Sequence, residues 1–163
     1  MSTDSLTYKA IDLIRTGEVS VPATDLIGAS LVEHGEGFAV YELDVTPKLS
    51  NPMGAVQGGI VTVMADAAMA VASVTVLTDE EFTQLSVTTC DIFARFMSAV
   101  PVGKIEKLRA RADVVRAGRT LVWTECTVEG DGKMVASFTG TGVKVLFKAS
   151  DYTKSTGKPT TRI

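Results

Sequence analysis

The period of apolar and polar positions changes several times along the chain, and each change marks an element. Between residues 4 and 16, Leu6, Ala10, Leu13 and Ile14 recur at helical spacing, with Asp4 or Ser5 as a cap and Gly17 as a stop. The stretch "LIGASLVEHGEGFAVYELDVT" instead shows a rough alternation through Phe38, Val40 or Tyr41, Leu43 and Val45, which predicts two strands joined at Gly35 to Gly37. "PKLSNPMGA" breaks both periods with two prolines, an Asn and a Gly, and reads as a loop. From about Val56 to Leu77 the helical period returns, traced by Ile60, Val61, Met64, Ala68, Val71 and Ala72. Gly, Ala and Ser are so frequent in this helix that it can approach other backbone on several sides, so it belongs at the centre. After "TDEEF" the pattern is β at 83–100, 104–116, 120–129 and 133–147, with the turns "RAGR" and "EGDGK" favouring antiparallel connections. Leu108, Ala110, Ala112 and Val114 alternate with Lys107, Arg109, Arg111 and Asp113, as a sheet with one wet face requires.

One long helix wrapped by one antiparallel sheet is an α+β arrangement. Residues 1–20 are read as an N-terminal helix and linker, 21–148 as the domain, and 149–163, which lack periodicity, as a disordered tail. A chain of 163 residues fits a single domain with a real core.

Composition narrows the partners. With 45% hydrophobic and 21% charged residues the chain is ordinary globular material. Its net charge of −3 gives no reason to expect nucleic acid or an anionic membrane. Residues 59–78 have the length of a membrane span, but Asp66 lies inside them at a cost of about 3 kcal/mol, and no basic flank follows. The N-terminus has no apolar stretch long enough for a secretory signal, so a cytoplasmic location is expected. Cys90 and Cys126 follow no metal or redox spacing and are expected to be reduced core residues. His34, the only histidine, is expected at the surface, next to a turn.

Asp66 is the candidate for chemistry. It is the one formal charge between Leu49 and Thr78, in the most apolar run of the chain. A carboxylate there is either a structural group satisfied by hydroxyl or backbone donors, or a general base or nucleophile. The same helix begins at Gly58 and Gly59. Their N–H groups lack intrahelical partners and can face a ligand oxygen, although a glycine pair also serves a simple turn or a close backbone contact. Eight residues separate Gly58 from Asp66, about 12 Å of helix. Both cannot reach one substrate atom from one chain, so if both are catalytic the site combines two subunits.

"NPMGAVQGGIVTVMADAAMAVA" resembles the signature of hotdog-fold acyl-CoA thioesterases of the phenylacetate-degradation and hydroxybenzoyl-CoA type. "TCDIFARFMSAV" and "VVRAGRTLVWTECTVEGDGKMVASFTGTGVKV" are similar to that family's later strands, so the likeness covers about residues 20–147. The resemblance implies a hotdog fold, a homodimer or dimer of dimers, an acyl-CoA substrate, and no metal or other cofactor. It implies that the Gly58 N–H polarises the thioester carbonyl, that Asp66 of the opposite subunit attacks or activates water, and that Asn51 orients the carbonyl or the water. It further implies that Thr89 bonds the acid or the water. Gln57 stands where most such proteins have His; Gln can donate a hydrogen bond but cannot transfer a proton near neutral pH. Arg95, Arg116 and Arg119 are the candidate cations for the coenzyme A phosphates. Two other uses of the fold stay open at this point: an acyl-CoA binding module without turnover, which Gln57 favours, and a hydratase or dehydratase, which the lack of a second histidine disfavours.

Overall fold

Two short helices, α1 (Leu6–Arg15) and α2 (Pro22–Ile27), precede strands β1 (Ala29–Gly35) and β2 (Phe38–Asp44) in the computed structural model, which describes residues 5–147. A 3-10 turn at Pro47–Leu49 and a loop lead into the long helix α3 (Gly58–Val74), followed by the one-turn helix α4 (Asp79–Phe82). Strands β3 (Leu85–Phe96), β4 (Lys107–Ala117), β5 (Leu121–Gly130) and β6 (Lys133–Leu146) complete the order. The strands form one six-stranded sheet, β1-β2-β4-β5-β6-β3, with every neighbouring pair antiparallel. This is the hotdog fold, α3 lying along the inner face of the sheet.

The alternation in β4 works as read. Leu108, Ala110 and Ala112 are buried under α3, while Lys107, Arg109 and Arg111 face water and pair with Glu42 or Asp113. On α3, Met64, Ala65, Ala68, Met69 and Ala72 fill the space above Tyr41, Leu43, Leu108, Val128 and Phe138. Three alanines in that stripe let the helix sit close to the sheet, and the large partners contribute roughly 1.5–3 kcal/mol each on burial. One glycine of β6 brings it closer, and another makes room for the neighbouring strand β3. A Cβ at Gly140 would stand 3.2 Å from Met69 Sδ, and one at Gly142 would stand 2.5 Å from Val87 Cγ1.

The far end of α3 is tied to the first hairpin. Thr75, fully buried, donates its hydroxyl to Ala72 O (2.7 Å) and accepts from Gly37 N–H (2.9 Å). Gly37 takes a left-handed φ of 75° in the β1–β2 turn, and its carbonyl accepts from Val114 N of β4. One hydroxyl thus connects helix end, hairpin and sheet.

Several sequence readings shift. The long helix runs Gly58–Val74 rather than 56–77, and β3 stops at Phe96, residues 97–106 being mostly loop. Helices α2 and α4 were not expected from the pattern. Pro22 opens α2 and left-handed Gly28 closes it, while α4 has a Thr78–Glu81 capping box. Ser5 is the N-cap of α1, but its hydroxyl donates to Asp79 Oδ1 (2.6 Å), which also accepts from Thr7 N–H (3.2 Å). These donors, Ser5 first, hold the Asp79 carboxyl below its usual range. The alternative cap Asp4 and the tail 149–163 lie outside the described residues.

The Thr75 hydroxyl gives the first prediction. Thr75→Val keeps the shape but leaves Gly37 N–H without its acceptor, so unfolding free energy should fall by about 1–3 kcal/mol in urea titrations. A loss below about 0.5 kcal/mol would show that the hydroxyl does not hold the helix end to the hairpin.

Candidate functional site

The first turn of α3 presents free donors. No hydrogen bond from the Gly58 or Gly59 N–H occurs among the described residues, as expected where a helix begins. The Gln57 backbone, extended at φ −62°, ψ 130°, is anchored by its own N–H to Leu49 O (2.9 Å). Beside Gly58 opens a cleft of about 290 Å³ lined by Asn51, Val61, Phe96, Ser98 and Val135, among others. The absence of a side chain at 58 is used, since a Cβ there would stand 3.2 Å from Phe96 Cζ. At Gly59 a Cβ would meet nothing within 4 Å, so only Gly58 is shaped by a close approach.

Asp66 lies two turns further along. It is half-buried, on the flank of α3 that borders β3, and Thr89 donates its hydroxyl to Asp66 Oδ1 at 2.6 Å. Its place at this border lets a charge sit in an apolar helix without being enclosed in the core. Thr89 shares the inward face of β3 with Val87, and a β-bulge follows it. Thr89 pairs with Gly142 and Asp91 with Thr141, so Cys90 is the extra residue. Before the bulge Val87 and Thr89 face the helix; after it Ile92, Ala94 and Phe96 do, opposite Gly140, Phe138 and Ala136. The shift lets both Thr89 and Phe96 point toward α3.

Asn51 and Gly58 therefore share the cleft, and Asp66 and Thr89 share a hydrogen bond, but the two pairs stand at separate stations along the helix. Asn51 Oδ1 accepts from Met53 N–H (2.9 Å) and Ala55 N–H (3.2 Å), which shapes the loop before α3 and leaves the amide NH2 for a ligand. Gln57 is exposed and its side chain does not cap α3. None of the three candidate arginines lines the cleft of its own chain. Arg95 stacks on Phe93 (4.7 Å) and Arg116 on Trp123 (5.6 Å), while Arg119 is exposed in the β4–β5 turn. Among the described residues no three His, Cys, Asp or Glu side chains cluster as metal ligands.

Two expectations are corrected. Cys126 is buried and its thiol pKa is pushed up to about 12 by that burial, but Cys90 is exposed, because the bulge turns it out of the ladder. His34 is not a surface group: its side chain is 8% exposed, edge-on to Tyr8, with Nε2 3.0 Å from Asp12 Oδ1. Helix α1, packed on β1, covers it. The residue that the pattern missed is Phe96. Its place in "FARF" gave a strand but no direction, since the bulge that turns it inward has no Gly or Pro to announce it.

No helix among the described residues is long and apolar enough to cross a membrane. No match to the chain was found among curated protein sequences. Among solved structures it is similar to the PaaI protein of the Escherichia coli phenylacetic acid degradation operon, at 23% identity and a TM-score of 0.73, over 86% of this chain and 96% of that one. It is similar to a putative thioesterase from Ralstonia eutropha, a phenylacetic acid degradation-related protein, at 27% identity and a TM-score of 0.69, over 81% and 97% of the two chains. A Haemophilus influenzae thioesterase is similar at 21% identity and a TM-score of 0.69, over 78% and 85%. The sequence profile of the thioesterase superfamily matches residues 53–137, which hold both α3 and Thr89. That match spans more than half of the chain, and the chain belongs to the thioesterase superfamily.

Proposed function

We propose that the protein hydrolyses an acyl-CoA thioester at a site completed by a second copy of the chain. The observation that carries this reading is the Asp66 carboxylate, held by Thr89 on the helix whose free N-terminal amides stand about 12 Å away. One protomer supplies the oxyanion donor and the other the acid. The Gly58 N–H, with the positive end of the helix dipole, stabilises the oxygen as the carbonyl becomes tetrahedral. The Asp66 carboxylate takes a proton from water as the water oxygen bonds to the carbonyl carbon. Collapse then breaks the C–S bond, and the departing thiolate takes the proton back from the Asp66 carboxyl. In the variant of this scheme the carboxylate itself attacks, and water cleaves the resulting anhydride. Neither version calls for a metal or a redox cofactor.

Two features support self-association at this face. Among the described residues strand β3 is a sheet edge that pairs on one side only along its twelve residues, whereas α1 packs against the other edge strand, β1. Beside β3, the flank of α3 that carries Asp66 also turns Gly59, Val63, Ala67 and Ala70 at least partly to solvent. A two-fold contact there covers the edge and sets one chain's helix against the other's. Whether two such dimers pair further is a separate question of the same kind. Arg95, Arg116 and Arg119 are the cations proposed for the coenzyme A phosphates; any that serves does so across the subunit boundary or outside the cleft.

Asp66→Asn keeps the shape and an acceptor for Thr89, so kcat on the best acyl-CoA should fall about 10²–10⁴-fold with the melting temperature little changed. Near-normal kcat would remove Asp66 from the catalytic role, and loss of folding would make it structural. The competing reading, an acyl-CoA binding module, is favoured by the proton-inert Gln57. Binding without thiol release across aryl, short-chain and long-chain acyl-CoAs would establish it. Under the catalytic reading, Gln57→His should raise hydrolysis or add a pH dependence near the His pKa of about 6.5. An unchanged rate and profile would exclude position 57 from proton transfer.

The shared site has its own test. Gly58→Pro removes the proposed donor at the first helical position, where the missing N–H is tolerated and the half-exposed Phe96 ring has only to give by a few tenths of an ångström, and Asp66→Ala removes the acid. Each homodimer has two broken sites, but a mixed dimer has one doubly broken and one intact. With equal amounts and random exchange, about a quarter of wild-type activity should return. No recovery in demonstrated mixed dimers would refute the shared site.

A further inference from the structure

The cleft beside Gly58 is lined by uncharged side chains, most of them apolar. Its lining contains no charged side chain, and its only polar side chains are those of Asn51 and Ser98. One wall is the ring of Phe96, which touches the space over Gly58, meets Phe138 edge-on at 5.9 Å and 89°, and remains 53% exposed. Its inner edge is thus fixed by the core while its outer edge faces the opening. If the carbonyl oxygen of a thioester sits on the Gly58 N–H, one of the two groups on the carbonyl carbon must lie against that ring. Those groups are the acyl chain and the thioester sulfur with its amide-bearing arm and phosphates. A wall whose polar side chains are Asn51 and Ser98 alone offers few side-chain partners to the amides of that arm, and suits the acyl chain better.

Resting on the thioesterase reading above, we propose that this cleft holds the acyl group and that Phe96 is the residue that limits its size. The part of the cleft that one chain provides, about 290 Å³, is just under the roughly 300–1,000 Å³ of ligand pockets, which is room for a short to medium or single-ring acyl group. The limit is built from a side chain rather than backbone. Truncating Phe96 opens the cleft toward Phe138 and Ala136 without touching the Gly58 amide or Asp66.

The test compares wild type, Phe96→Leu and Phe96→Ala on straight-chain acyl-CoAs from acetyl to dodecanoyl and on benzoyl-CoA. The ratio of kcat/KM for long over short acyl groups should rise about tenfold or more in Phe96→Ala, since each methylene accommodated is worth that order. Phe96→Leu should fall between, and it carries the test if the alanine variant does not fold. A uniform change across all acyl groups would overturn the proposal, because it would place the arm of coenzyme A against the ring. Binding of non-hydrolysable alkyl-CoA thioethers of the same lengths separates this claim from catalysis. Length-dependent binding that Phe96→Ala extends, with no turnover, keeps the acyl cleft and defeats only hydrolysis. Turnover with unaltered acyl preference defeats only Phe96, and a wild type that binds none of the thioethers defeats both.

Discussion

The contact that the rest of the structure depends on is the close seating of α3 on the inner face of the sheet. Ala65, Ala68 and Ala72 on the helix and Gly140 on β6 leave so little between the two layers that rotation or sliding of the helix would drive side chains into the sheet. A helix fixed in this way has a fixed direction for every side chain. Its first amides emerge beside the loop that Asn51 shapes, and its third turn delivers Asp66 to the border of β3. The Thr75–Gly37 bond prevents the far end from lifting. Positioning of the candidate groups is therefore a packing result before it is an electrostatic one.

The bulge at Cys90 is the second device, and it acts on register. In an uninterrupted strand residues of one parity share a face, so Thr89 and Phe96 could not both turn toward the helix. One extra residue reverses parity between them, while β6 keeps even-numbered residues inward from Ala136 to Gly142. The same strand can then offer a hydroxyl to the acid at one station and an aromatic wall to the amide end at another. The cost is a broken ladder on an edge strand and an exposed cysteine. At an edge the cost is small, since no further strand among the described residues needs the lost hydrogen bond.

Much of the fold was legible in the sequence because its strongest patterns are the ones that packing enforces. The strict alternation in β4 and the small-residue run of α3 reflect one-sided and nearly all-round burial, and both elements formed where expected within a few residues. Asp66 and Gly58 stood out for the same reason, a charge and a bare backbone in an apolar setting. What was not legible depends on contacts distant in sequence. The pairing of Thr89 with Asp66 spans 23 residues; the resemblance named Thr89, whereas periodicity could not separate it from Thr88. His34 looks superficial in sequence because the helix that covers it lies more than twenty residues earlier. The α1 anchor, Asp79, lies 74 residues from the Ser5 hydroxyl that it accepts from.

A rigid helix also keeps the Gly58 amide and the Asp66 carboxylate from meeting at one point within a chain. The donor end and the acid end are held apart by the same hydrogen-bonded turns that orient them, so no side-chain motion of Asp66 can close about 12 Å. Bending α3 would disrupt the alanine and glycine contacts on which the fold rests. In the arrangement proposed above, a two-fold axis near the β3 edge would bridge the separation by setting opposite helix stations against each other twice. On that arrangement the packing that stabilises each protomer is what obliges it to act in pairs. Variation at the helix N-cap, where Gln57 stands exposed and unconstrained, can then alter chemistry without disturbing either layer.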